Sequence, residues 1–247
     1  MSEIQVTVVM PAYNCERYIE TAITSVLQQQ VPLELIIVED HSTDGTADVI
    51  RRFESDERVI YLHNEINAGV SESRNIGIRM ARGKYIAFLD ADDYWTKDKL
   101  ERQVALMEDK KAVLSSTARE LMDEEGKLSG KVIPVPDTMT YRDLLKSNRI
   151  NTSGAMIRTE IAREFLMGQD HLHEDYILWL KVLKKYGMAY GLNEPMLKYR
   201  LMKQSKSGDK LKSAKMTWGV YRYMGLNWFQ SLYYFMQYAV AGVKKYH

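Results

Sequence analysis

A chain of 247 residues, 45% hydrophobic and 27% charged, is long enough to bury one good-sized core and carry a small appendage. Lys+Arg 34 against Asp+Glu 33 leaves no whole-chain field to recruit nucleic acid, so any charge-based recognition must be local. The single Cys15 excludes an intrachain disulfide, and no His/Cys set has structural-zinc spacing, which fits a reducing compartment.

Residues 1–7 lack the basic start, apolar run and small-residue cleavage site of a secretory signal, so a cytoplasmic location is expected. Short β-branched runs at 5–10, 33–39, 59–62 and 85–89 read as strands. Between and after them, 16–29, 46–54, 71–81 and 97–109 have helical periodicity; in the first, Tyr18, Ala22, Val26 and Gln29 step along one face. This alternation predicts an α/β fold with a mostly parallel sheet flanked by helices. Ligands of such sheets bind beyond the carboxyl ends of the strands, and the polar clusters at 11–14, 40–45, 67–74 and 90–93 fall there.

In Pro11-Ala12-Tyr13-Asn14, Tyr13 can stack on a nucleobase or pack into the core. Asp40 follows the apolar run 35–38, placed to accept a nucleobase N–H; Asp44 and Gly45 look like turn chemistry, with Ser42 or Thr43 as a cap. In 67–77, a turn at 67–69 and a cap at Ser71 would put Arg74 one turn into a helix. There it can reach a diphosphate, brace the acidic loops, or lie on the surface. Asp90, Asp92 and Asp93 crowd a strand end. Carboxylates packed so closely are costly without a cation, and oxygen donors suit Mg²⁺ or Mn²⁺ completed by a diphosphate. Thr96 or Asp93 could instead cap the next helix.

The second half is less regular. It suggests a hairpin over 119–135 turning near Glu125-Gly126, a short helix from Thr140, a strand at 152–158 and a helix at 174–186. His171 and His173 lack a third ligand at zinc spacing and are expected in a loop or acceptor site. Asp175, at that helix start, suits a cap or a general base. The tail is rich in Trp, Tyr and Phe, with no charge over 223–243. It is too polar for a clear membrane span, leaving an interfacial helix or a helix packed on the core or a second subunit. Two units are expected, 1–208 and a helical aromatic extension over 209–247.

Taken as a set, Val8-Val9-Met10-Pro11-Ala12-Tyr13-Asn14, Val38-Glu39-Asp40-His41-Ser42-Thr43-Asp44-Gly45-Thr46, the 67–77 segment and Phe88-Leu89-Asp90-Ala91-Asp92-Asp93-Tyr94-Trp95 resemble the signature series of inverting family 2 glycosyltransferases with the Rossmann-like GT-A fold. Glu174-Asp175-Tyr176-Ile177-Leu178-Trp179 is similar to that family's acidic pair opening a helix, and Tyr199-Arg200 to its segment closing over the donor diphosphate. The histidine that commonly follows is absent here; Lys203, Ser205 and Ser207 are candidates to substitute. The tail is reminiscent of teichuronic-acid and capsule-type members. The resemblance implies Asp175 as catalytic base, a donor site from Pro11, Tyr13, Asp40, Arg74, Asp90 and Arg200, and Mn²⁺ or Mg²⁺ on Asp92 and Asp93.

The expected partners are a nucleoside-diphosphate-sugar, with uridine diphosphate preferred because Asp40 suits the uracil N3–H, and a glycan acceptor, lipid-linked or soluble. The extension would meet the inner membrane surface or a homodimer partner. A sugar nucleotidyltransferase and a catalytically inactive binding protein of the same fold are the competing readings. The first calls for a Gly-rich basic phosphate loop after strand one, and Pro11 to Asn14 is too poor in glycine to supply it.

Overall fold

The computed structural model describes residues 3–169, 171–202 and 210–246. The first half follows the expected alternation: β1 (Val6–Ala12), α1 (Ile19–Leu27), β2 (Leu33–Glu39), α2 (Thr46–Arg51), β3 (Val59–His63), α3 (Val70–Met80) and β4 (Tyr85–Phe88). β2 pairs in parallel with β1 and β3, and β1 in parallel with β4. The chain therefore runs outward from β1 to β3 and then returns to β1's other side. β2 is buried along its whole length because both sheet faces are covered, which is why it reads as an apolar run rather than an alternation. Strand periodicity sorts β1 between the two cores, Val9 joining one and Val8 and Met10 the other.

The second half adds β5 (Tyr94–Trp95), α4 (Lys99–Asp109), β6 (Leu114–Met122), β7 (Leu128–Ile133), β8 (Thr138–Thr140), α5 (Tyr141–Lys146), β9 (Ala155–Arg158), α6 (Thr159–Glu164), α7 (Glu174–Tyr186) and β10 (Met188–Arg200). The described strands form one sheet ordered β3-β2-β1-β4-β9-β6-β10-β5, with β7 on β6 and β8 on β10. The α/β expectation holds: parallel pairing runs through β1–β4 and returns between β6 and β10, with antiparallel strands added around it. β9 enters antiparallel to both β4 and β6, and β5, β7 and β8 also pair antiparallel, so the sheet is mixed. Antiparallel strands need no helical crossover, so the strand–helix rhythm that announces a parallel sheet fades after β4.

Three local expectations change. Residues 152–154 form a 3₁₀ turn before β9. α3 begins at Val70 with Gly69 at its N-cap, so Ser71 lies inside the helix and caps nothing. Asp98, rather than Thr96 or Asp93, holds the N-cap position of α4. β10 escaped the sequence reading because Gly191, Asn193 and Pro195 interrupt it, and the register against β6 slips around Pro195. Gly191 is required there, since a Cβ would lie 2.0 Å from the Pro136 carbonyl oxygen.

Past the core come α8 (Lys210–Tyr223) and α9 (Trp228–Tyr246). The expected boundary at 208/209 lies outside the described residues, as do Lys203, Ser205 and Ser207. α8 is docked on the core: Val220 and Tyr221 are buried, and the Tyr221 hydroxyl donates to the Leu145 carbonyl at 2.7 Å. α9 turns Tyr234 and Phe235 inward and leaves Phe229, Tyr233, Met236 and Val240 exposed. No helix among the described residues is long and apolar enough to cross a membrane.

Candidate active site

The carboxyl ends of β1, β2 and β4 and the N-terminus of α7 enclose a cleft of about 620 Å³. Pro11, Tyr13, Asp40, Arg74, Asp90, Asp92 and Asp175 all line it. Tyr13 is 51% exposed, so it is a wall of the cleft and not a core residue. Asn14, held at φ 47°, locks this loop to the next one: its backbone N–H donates to Ser42 Oγ at 3.0 Å and its Oδ1 accepts from the Thr43 N–H at 2.8 Å.

Asp40 is buried and serves the architecture first. Its Oδ1 accepts from Asn64 Nδ2 at 2.7 Å and the Ala68 N–H at 2.8 Å, and its Oδ2 from the Gly69 N–H at 2.8 Å. Gly69 adopts φ 87°, a conformation that favours glycine, to present that N–H. A carboxylate offers about four lone-pair sites, so three protein donors leave Asp40 room for one more.

Arg74 is 4% exposed, which removes the surface alternative. Its Nη2 donates to Asp90 Oδ1 at 2.6 Å and its Nη1 to Glu174 Oε1 at 3.1 Å. Burial by itself would pull the guanidinium's pKa down; Asp90 and Glu174 outweigh it and the group is held above its ordinary value. Arg74 thus ties the end of β4 to the start of α7.

Asp175 stands in the first turn of α7, where Oδ2 accepts from the Thr152 hydroxyl at 2.8 Å and Oδ1 from the Tyr176 N–H at 2.7 Å. His173, not Asp175, occupies the N-cap position. Burial and then neighbouring Glu174 push the Asp175 carboxyl up, against the opposing pull of Arg74 and Thr152. Thr152 was not anticipated. It sits in the 3₁₀ turn before β9, and nothing local marks a threonine 23 positions upstream as the partner of Asp175. Of the two histidines, His173 lines the cleft while His171 is exposed.

The three clustered aspartates separate. Asp90 and Asp92 face the cleft, whereas Asp93 is 2% exposed and turned inward, its Oδ1 accepting from the Arg200 N–H at 2.8 Å. Arg200 is likewise spent on the protein. Its Nε donates to the Asp92 carbonyl at 2.8 Å, its Nη1 to the Glu124 carbonyl at 2.9 Å, and its guanidinium lies 4.5 Å from the Tyr18 ring centroid. Neither Asp93 nor Arg200 lines the cleft, because β10 pairs antiparallel with β5 and draws both beneath it.

The chemistry of Asp92 fits a divalent ion. Burial and then Asp90 raise its carboxyl to about 6, the behaviour of a carboxylate crowded by another without a cation. No group of three or more His, Cys, Asp or Glu side chains among the described residues forms a metal cage. A divalent ion here would complete its shell with phosphate oxygens and water, as Mg²⁺ commonly does. Cys15, by contrast, is a buried thiol raised to about 12 by desolvation and is inert packing.

Comparisons with known proteins agree with this geometry. The chain is 42% identical over 243 residues, 97% of this chain and 96% of the other, to a Bacillus subtilis (strain 168) protein named as the teichuronic acid biosynthesis glycosyltransferase TuaG. It is 34% identical, over 99% of this chain and 96% of the other, to the Escherichia coli UDP-Glc:α-D-GlcNAc-diphosphoundecaprenol β-1,3-glucosyltransferase WfgD. The fold matches S. aureus TarS 1-349 in complex with UDP-GlcNAc at TM-score 0.73 and 19% identity, covering 89% of this chain and 65% of that one. It also matches the Pyrobaculum calidifontis mannosyltransferase PcManGT in complex with GDP-Man and Mn²⁺ at TM-score 0.70 and 20% identity, covering 89% of this chain and 64% of that one. In both structural matches the chain spans less than two thirds of the other protein. Residues 7–166 match the profile described as Glycosyl transferase family 2, and the chain belongs to that family of glycosyltransferases with the GT-A fold.

Proposed function

We propose that the enzyme transfers a sugar from a UDP-sugar, with inversion, to a hydroxyl of a lipid-linked precursor of a bacterial surface glycan. The observation that carries this reading is the presence of Asp92 and Asp175 on one cleft with the buried Arg74 between their loops. The name of the B. subtilis relative supports a surface-glycan product, and WfgD's name supports a lipid-linked acceptor and UDP as the carrier.

In the proposed reaction Tyr13 stacks on the nucleobase and Asp40 accepts its N–H through its remaining lone pair. A divalent cation, Mn²⁺ or Mg²⁺, would be held by Asp92 with Asp90 beside it, and when bound supplies positive charge to the departing diphosphate. Asp175 accepts the proton of the acceptor hydroxyl as its oxygen attacks the anomeric carbon from the face opposite the leaving diphosphate. A single displacement needs no protein nucleophile. Thr152 holds the Asp175 carboxylate still, and an aligned base and acceptor convert a random encounter into a positioned one.

Titration with UDP, GDP and dTDP, each with and without Mn²⁺, tests the donor assignment. UDP is expected to bind tightly only with metal. Asp175→Asn is expected to keep that binding and lose turnover by at least about a thousandfold, in line with removal of a general base that acts in the transition state. Near-normal turnover in the variant would remove Asp175 from the mechanism.

A further inference from the structure

A second concavity of about 760 Å³ lies between β7, β8, α5 and α9, away from the residues of the donor cleft. One part of its wall is apolar, with Val132, Pro134, Met139 and Val240; Val132 is 43% exposed and Val240 57%. Another part carries Lys131, Lys146 and Arg149, against the single carboxylate of Asp143. That carboxylate is engaged: Oδ2 accepts from the Thr140 hydroxyl at 2.7 Å in the capping box of α5, and Oδ1 lies 3.9 Å from Lys146 Nζ, which leaves Arg149 as the trough's unpaired cation beside them. Arg149 is half-buried and makes no hydrogen bond or ion pair with any described residue. An unpaired guanidinium beside an apolar trough suits a ligand that is a phosphate at one end and hydrocarbon at the other.

One short segment of chain, 147–152, joins the trough to the active-site cleft. Ser147 and Arg149 line the trough, while Asn151 and Thr152 line the cleft. Three residues of fully extended chain span at most about 11 Å, so Arg149 stands within that reach of Thr152, whose hydroxyl bonds Asp175. Val240, which lines the trough, also belongs to the exposed stripe of α9. Phe229, Tyr233, Met236 and Val240 fall within a sector of about 60° at 100° per residue, so the apolar path continues along the helix.

Resting on the lipid-linked acceptor reading above, we infer that this trough is the acceptor's lipid site. The diphosphate of a polyprenyl-diphosphate-linked glycan binds Arg149 and Lys146, and its head-proximal isoprene units run past Val132 and Val240 along α9. The acceptor sugar is thereby directed over the 147–152 loop toward Asp175. The positive charge of the trough selects a diphosphate lipid, and its apolar wall distinguishes that lipid from a free diphosphate.

The test uses the full chain in metal-free buffer, where a diphosphate gains nothing from Asp92, with farnesyl diphosphate as the probe and inorganic pyrophosphate and farnesol as controls. Farnesyl diphosphate is expected to bind at least tenfold more tightly than either control. Arg149→Ala and Val240→Asp are each expected to weaken it at least tenfold, while metal-dependent UDP binding is unchanged in both. Equal binding by the variants, no binding by the wild type, or pyrophosphate binding as tightly as the farnesyl compound would each overturn the assignment. Arg149-dependent capture by phosphatidylglycerol vesicles without a diphosphate lipid would make the trough a general headgroup contact and overturn it. A dimer in light scattering that Val240→Asp dissociates would assign the trough to a second copy and do the same. Loss of UDP binding in the wild type is a separate outcome that counts against the donor reading alone.

Discussion

Arg74 and Glu174 are 100 positions apart in the chain and 3.1 Å apart through Nη1 and Oε1, both side chains nearly inaccessible to solvent. With Asp90 on the other arm of the guanidinium, this pair clamps the loop after β4 to the helix that carries Asp175.

Breaking the clamp should cost more than a surface ion pair. Removing one partner of a buried pair leaves an uncompensated charge and typically costs about 3–5 kcal/mol. Arg74→Ala is expected to destabilise by that amount in urea unfolding, and Arg74→Lys by less, since an ammonium keeps the compensating charge while losing the fork that spans both carboxylates. A change within about 0.5 kcal/mol for Arg74→Ala would place the pair with ordinary exposed contacts.

The base proposed above should show itself in the pH profile. Asp175 must be ionised to accept a proton, and its carboxyl is raised above the ordinary 3.8 by burial and Glu174. Activity should therefore fall as pH drops through a value above 3.8. The Thr152 hydroxyl stabilises the ionised form, so Thr152→Val should move the acidic limb to still higher pH. A limb that stays fixed in Thr152→Val would separate that limb from Asp175.

Asp92 and Asp93 are adjacent in sequence but face different surroundings. Asp92→Asn is expected to lower Mn²⁺-dependent UDP affinity at least about a hundredfold, since losing a group that only supports a metal ligand already costs about tenfold to a hundredfold. Asp93→Asn retains an oxygen to accept the Arg200 N–H and is expected to stay within about threefold of wild type. Equal losses in calorimetric titration would return Asp93 to the metal site.

Lys99 is a buried lysine away from the cleft. Its Nζ lies 3.7 Å from the Trp95 ring centroid and has no hydrogen-bond partner among the described residues. Burial holds its pKa well below 10.5, so the unfolded chain binds a proton that the folded chain resists. The stability associated with Lys99 is fully present above 10.5 and is lost as pH falls through the depressed folded value. Lys99→Met is expected to stabilise by about 1–3 kcal/mol at pH 7 and to flatten that dependence. Thermal unfolding at pH 7 and pH 9 would measure both; a lower melting temperature for the variant at both would mean the Lys99–Trp95 contact outweighs the desolvation.

The sequence alone determined where chemistry could gather. Strand-ending motifs at Pro11, Asp40 and Asp90 are local, because a β-strand followed by a polar turn declares itself in successive residues, and the parallel half of the sheet is legible for the same reason. The acidic pair at 174–175 opening a helix is local in the same way. What only the tertiary structure decided is which of those groups face the cleft. Asp92 and Asp93 have the same chemistry and neighbouring positions, and the antiparallel pairing of β10 with β5 makes one a wall of the cleft and the other a buried acceptor for Arg200. Arg200, read as a donor contact, became a brace, and Thr152, silent in the sequence, became the partner of Asp175. These outcomes depend on pairings between segments 23 to 108 residues apart, and a side chain's own neighbours in the chain carry no record of them.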